Sequence, residues 1–92
     1  MTRSIVWTSR FKRDYKLAMK RKLNMDLVDD CIRILARGEE LPPHMKDHAL
    51  AGTWVGHREC HISPDWLLLY KLMDNNLILV LSRTGSHSDL FE

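Results

Sequence analysis

Trp66-Leu67-Leu68-Leu69-Tyr70-Lys71-Leu72-Met73-Asp74-Asn75-Asn76-Leu77-Ile78-Leu79-Val80-Leu81-Ser82-Arg83 decides the fold. Two apolar runs flank Asn75-Asn76, and asparagine tolerates the positive φ of a tight hairpin turn. The stretch predicts two antiparallel strands, Trp66 to Met73 and Leu77 to Arg83. With Asn75-Asn76 as the loop, Asp74 faces Leu77, and the same register carried down the ladder sets Asp65 against Ser86. Upstream, Ser63-Pro64 reads as a second turn at the end of a strand from Thr53 to Ile62. That turn sets Ile62 against Asp65 and His61 against Trp66.

The N-terminal half has a different period. Ser4 to Thr8 reads as a short strand whose pairing direction is open. Thr8 or Ser9 caps a helix in which Phe11, Tyr15, Ala18 and Met19 share one apolar face. Asn24 caps a second helix, with Leu27, Val28, Cys31, Ile32 and Leu35 on its buried side and Gly38 as its stop. The short break between them implies an αα-hairpin. Pro42-Pro43 opens a loop over 39–52, and a last helical turn is expected from Ser88 to Phe91. The order β-α-α-β-β-β describes an α/β (α+β) fold: an αα-hairpin packed on a mainly antiparallel sheet, one domain over residues 1–92.

Composition agrees with one small globular domain: 45% of the 92 residues are apolar and 28% charged. The net charge of +2 conceals an asymmetry. Residues 1–38 carry ten lysines and arginines against four carboxylates, and 39–92 carry four against eight. All five histidines lie in the second part. Cys31 and Cys60 are far apart and outside any Cys-x-x-Cys motif, which predicts free, buried thiols in a reducing compartment. No signal-peptide core or bilayer-length apolar run is present, so a soluble cytoplasmic protein without a membrane partner is expected.

The hairpin registers gather His61, Asp65 and the Ser86-His87 segment at one end of the sheet, with Arg83 on the approach. Strands lie ~4.8 Å apart, so three strand ends span roughly 10 Å, the scale of a phosphodiester with its flanking sugars. Groups that titrate near neutrality beside a permanent cation suit proton transfer at a phosphate. Singly, each of these residues has an ordinary explanation: a solvated histidine, an aspartate in a turn, a strand-end ion pair, a solvated basic helix face. Trp7 and Trp54 read as packing residues. Two His-x-x-x-His pairs, His44/His48 and His57/His61, raise the question of zinc. The second fails because four strand residues span ~13 Å, and the first follows two prolines with no helix assured. Neither a metal nor another cofactor is expected.

Taken together, Lys46-Asp47-His48, Gly52-x-Trp54, His61, Pro64-Asp65-Trp66, Tyr70-Lys71-Leu72 and Arg83-Thr84-Gly85-x-His87-x-x-Leu90-Phe91 closely resemble the YafQ branch of the RelE superfamily of type II toxin–antitoxin toxins. The resemblance covers nearly the whole chain. It implies a RelE-like fold of microbial-ribonuclease type and cleavage of mRNA in the ribosomal A site. The implied partners are a cognate antitoxin, the ribosome and mRNA, with promoter DNA reached only through the antitoxin. The catalytic positions it implies are His48, His61, Asp65, Arg83, His87 and Phe91, and the placement of His48 rests on it.

In the implied metal-free reaction the ribose 2′-OH attacks the phosphate. Arg83 would hold the phosphate, His87 would be the acid, Asp65 and His61 are candidates for the base, and His48 would assist. Phe91 and Trp66 are candidates to stack on a base. Lys12, Arg13, Lys16, Lys20, Arg21 and Lys22 form the expected RNA and ribosome contact face. The competing classes are a catalytically degenerate antitoxin-binding module and a ribonuclease acting on free RNA.

Overall fold

The computed structural model describes residues 2–91; Met1 and Glu92, the ends of the expected 1–92 domain, lie outside the described residues. Strand β1 (Ser4–Trp7) leads into helix α1 (Ser9–Lys20), followed by α2 (Met25–Ala36), β2 (His48–Ala49), β3 (Arg58–Ser63), β4 (Trp66–Met73), β5 (Ile78–Gly85) and the short helix α3 (His87–Phe91). The strands form one sheet in the order β1-β5-β4-β3-β2. β1 runs parallel to β5, which answers the open question of its direction, and the other pairs are antiparallel.

Local chemistry sets the helix ends. Thr8 Oγ1 accepts the Phe11 amide at 3.1 Å and donates to the Leu81 carbonyl at 2.8 Å, so one hydroxyl caps α1 and ties it to the sheet. Asn24 Oδ1 accepts the Asp26 amide. Gly38, at φ +78°, ends α2 in a Schellman turn, with the Glu39 amide on Ile34 O and the Gly38 amide on Leu35 O.

The helices pack Phe11, Ala18, Val28, Cys31, Ile32 and Leu35 onto Cys60, Ile62, Leu68, Tyr70, Leu79 and Leu81 of one sheet face. Leu67, Leu69 and Leu90, with Leu50 and Trp54, form a smaller cluster on the other face. Two expected core residues are on the surface: Met19 is 48% exposed and Leu27 42%. They sit at the margins of their helical stripes, beyond the reach of the sheet. Trp7 packs edge-on against Phe11 and Tyr15 at the sheet margin. Cys31 and Cys60 are buried free thiols with their sulfurs 3.5 Å apart; the mutual hydrogen bond and burial push the Cys60 thiol pKa up.

Three departures from expectation matter for the site. The strand expected from Thr53 begins only at Arg58, because Gly52 and Gly56, at φ +66° and +87°, turn the chain through a 3₁₀ segment at Gly52–Trp54. The loop over 39–52 contains a 3₁₀ turn at Pro43–Met45 and the two-residue β2, which sets His48 against Glu59. Finally, both hairpin registers slip by one. β4 and β5 keep the expected pairing from Met73–Ile78 to Tyr70–Leu81, then a bulge at Ser82 moves Arg83 opposite Leu69 and Gly85 opposite Leu67. In the other hairpin Ser63 pairs with Trp66 across Pro64-Asp65, and an irregularity at Ile62 places His61 opposite Leu67 instead of Trp66.

Candidate active site

The register slips determine which side chains meet. Leu67 and Leu69 belong to the sheet face away from the helices, so their partners His61 and Glu59 share that face. Glu59, 6% exposed, is a buried carboxylate that reaches both neighbouring histidines. Its Oε1 lies 3.2 Å from His48 Nε2 and 3.4 Å from His61 Nε2. The loop histidine that local sequence could not place is thereby docked beside His61 through a residue the sequence analysis missed. The signal for Glu59 was available: it is a charged residue alternating with His61, with the apolar Cys60 and Ile62 between and after them.

The bulge at Ser82 brings His87, instead of Ser86, to Asp65. Asp65 Oδ1 accepts the His87 backbone amide at 3.0 Å and sits 2.7 Å from His87 Nδ1. A carboxylate only accepts, so Nδ1 carries the proton in this contact, while Nε2 of the half-exposed ring makes no hydrogen bond among the described residues. The His61 and His87 rings are 5.9 Å apart, and Phe91 lies 6.4 Å from His87 on the same short helix. His48, His61, Asp65, His87 and Phe91 therefore form one continuous group.

Arg83 stands behind it. Its Nε and Nη2 fork onto Asp14 of α1 at 2.6 and 3.2 Å, and the Thr84 amide adds a third bond to the same carboxylate. The side chain is only 15% exposed. With Asp65, Trp66 and Ser86 it lines a cavity of about 420 Å³ between α1 and the end of β5. Trp66 does not offer a stacking face: it is buried, and its indole N–H donates to Thr84 Oγ1 at 2.9 Å. Among the six basic residues grouped on α1 and its exit, Arg21 is committed to Asp89 at 2.7 Å. Lys12, Arg13, Lys16, Lys20 and Lys22 are exposed, with no ion pair among the described residues. His44 is exposed on its 3₁₀ turn, while His57 packs edge-on to Trp54 with Nδ1 buried and unpartnered; neither is among the contacts of this group.

His48, Glu59 and His61 present ligand atoms within 4.8 Å of one another. Two imidazole nitrogens and a carboxylate oxygen suit a borderline divalent ion such as zinc or copper(II). The two His-x-x-x-His pairs of the sequence thus combine crosswise, one member from each.

Two carboxylates at the site have pKa values held below the ordinary range. Asp65 is lowered by the His87 backbone amide first and the His87 side chain second. Asp89 is lowered by Arg21 and then by the Ser86 amide. Lowered folded-state values stabilise the protein above the unfolded carboxylate pKa of about 4 and cease to do so as pH falls through them. The melting temperature is therefore expected to fall on acidification from about pH 5 to pH 2. Asp89→Asn should melt below wild type at neutral pH and converge on it in acid, followed by circular dichroism. Parallel curves at every pH would contradict the coupling.

The fold and site together define a small α+β protein equipped for acid–base chemistry, with two carboxylate-anchored imidazole groups set edge-on, their ring centres 5.9 Å apart. This chain belongs to the YafQ family, bacterial toxins of type II toxin–antitoxin systems, whose model matches residues 3–92. It is 40% identical over 90 residues to the mRNA interferase toxin YafQ of Escherichia coli K12, covering 97% of this chain and 96% of that one. It superposes on YafQ in the E. coli DinJ–YafQ toxin–antitoxin complex with a TM-score of 0.90 at 39% identity, over the whole of both chains. A metal-bound toxin from Helicobacter pylori matches with a TM-score of 0.89 at 37% identity, over 99% of this chain and 100% of that one. The family and fold expected from the sequence motifs are borne out.

Proposed function

We propose that this protein is the endoribonuclease toxin of a type II toxin–antitoxin system and cleaves mRNA held in the ribosomal A site without a catalytic metal. The observation that carries the reading is the edge-on pair of anchored imidazoles, His61 on Glu59 and His87 on Asp65, with ring centres 5.9 Å apart. Cleavage through the ribose 2′-OH needs a base for that hydroxyl, an acid for the departing 5′ oxygen and a cation for the phosphate. His61, oriented by Glu59 and flanked by His48, is the base. His87 is the acid: protonated, it keeps Nδ1–H on Asp65 and has Nε2–H to donate. Asp65 spends Oδ1 on His87, which makes it the orienting partner of the acid in this reading. Arg83 uses Nη1, the guanidinium nitrogen outside its fork with Asp14, for the phosphate. Phe91 offers an exposed ring to a base beside the scissile bond.

The ribosome would hold the single-stranded message in line for attack by its ribose 2′-OH. The free cations of α1 supply the phosphate contact. Reversing Lys12, Lys16 and Lys20 to glutamate is expected to weaken ribosome binding and flatten its salt dependence, measured by sedimentation across a salt series. Unchanged affinity at every salt concentration would remove α1 from the interface. The E. coli relative's complex with DinJ supports a cognate antitoxin as partner, with promoter DNA reached through that antitoxin. A toxin acting on the ribosome works in the cytoplasm; no helix among the described residues is long and apolar enough to cross a membrane.

The deciding experiment incubates the purified protein with mRNA, with and without translating ribosomes. Cleavage only with ribosomes is expected. Cleavage of naked RNA would make it a general ribonuclease, and cleavage in neither case a binding module. The metal-bound H. pylori relative makes a second arm useful. Protein stripped with a zinc- and copper-selective chelator, then freed of it, is expected to cleave at the untreated rate.

A further inference from the structure

Helix α1 braces the segment 83–91 at two points with opposite polarity. Asp14 and Arg21 are seven residues apart and share one helix face. Asp14 holds the cation Arg83 of β5, and Arg21 holds the anion Asp89 of α3, with Nη1 2.7 Å and Nη2 3.3 Å from the carboxylate oxygens. Asp89 has a second task. Its Oδ2 accepts the Ser86 amide at 2.9 Å while its own amide donates to Ser86 Oγ at 3.1 Å, a reciprocal capping box. Gly85 makes room for it: a Cβ there would lie 2.9 Å from Asp89 Cβ and Oδ2.

A helix of five residues does not hold its geometry unaided. Yet α3 carries His87 at its first position and Phe91 at its last. The cap fixes where α3 begins, and the ion pair fixes the cap to α1. We infer that Arg21 and Asp89 are positioning residues that aim His87 Nε2 and the Phe91 ring at the substrate. Arg21 thereby leaves the set of RNA-contacting cations on the same helix. This inference rests on the acid role of His87 proposed above.

The test measures single-turnover cleavage of ribosome-bound mRNA at rising toxin concentration, for wild type, Arg21→Ala, Asp89→Asn and the double variant. Hydrogen exchange at the Leu90 amide, which bonds to Ser86 O, is followed in parallel. Each single change is expected to lower the maximal rate about fivefold, the order of a lost helix cap. The half-saturating concentration should be unchanged, the double variant no worse than either single, and Arg21→Lys, which keeps the charge but loses the fork, between wild type and Arg21→Ala. Leu90 exchange should quicken in Arg21→Ala. A raised half-saturating concentration with an intact maximal rate would make Arg21 a ribosome contact and overturn the inference. Faster exchange without loss of rate, or additive losses, would overturn it too. Wild-type protein that fails to cleave overturns the functional reading and this inference with it, whereas cleaving wild type with unaffected variants overturns the inference alone.

Discussion

His87→Ala is expected to lower single-turnover cleavage of ribosome-bound mRNA by ~10²–10⁴-fold while leaving the protein folded. The imidazole is largely exposed and its loss opens no core cavity. In the proposed reaction, what disappears is the acid, an imidazole whose Nδ1 is oriented by Asp65. Asp65→Asn should reproduce part of the loss, because an amide side chain can present its N–H₂ to Nδ1 and favour the wrong tautomer. A folded His87→Ala variant cleaving at the wild-type rate would remove this histidine from the chemistry.

The second large effect is expected at a position outside the sequence motifs. Glu59→Gln should reduce cleavage by ~10²–10⁴-fold, comparable to His61→Ala. Glutamine fits the same space, so the fold survives. It replaces an acceptor of two imidazole contacts by a group that is half donor, and His61 and His48 lose their common anchor. If Glu59 acts only through His61, the double variant should be no slower than either single variant. Additive losses would show that Glu59 serves the site by another route, and full activity in Glu59→Gln would eliminate it. Rates at saturating ribosome concentration, with circular dichroism as the control for folding, distinguish these outcomes.

The frame of the fold was legible because its signals are local. Thr8, Asn24 and Gly38 punctuate the helices, and Asn75-Asn76 turns the hairpin with Asp74, Asn75 and Asn76 all at positive φ. The bulge at Ser82 was not legible. Ser82 and Arg83 are both polar residues beside an apolar run, and nothing in the alternation says which is extra. The expected gathering of Asp65 with the Ser86-His87 segment survived because the slip is one residue; it changed the partner from Ser86 to His87. The other slip, at Ile62, set His61 opposite Leu67, and with it turned Glu59, two residues earlier on the same strand face, away from the helices to where β2 brings His48. Long-range contacts were out of reach of periodicity. The pairing of β2 with β3 depends on a two-residue strand inside a loop. The hold of Asp14 on Arg83 spans 69 positions, although a single carboxylate inside a helix otherwise rich in lysine and arginine was a visible anomaly. Trp66 was misjudged as a stacking surface for a related reason: burial is decided by the sheet and by Thr84, neither of which lies beside it in sequence.

Cleavage as proposed depends on the ribose hydroxyl as nucleophile, activated and answered by side chains alone. The most direct test uses an mRNA carrying a single 2′-deoxy sugar on the 5′ side of the cleaved bond, bound to ribosomes and compared with the all-ribose message. The predicted result is abolished cleavage at that bond, with the all-ribose message yielding a 2′,3′-cyclic phosphate or 3′-phosphate and a 5′-hydroxyl. Undiminished cleavage of the deoxy-substituted message, leaving a 5′-phosphate, would mean that water attacks instead, and the roles assigned to His61 and His87 would be wrong.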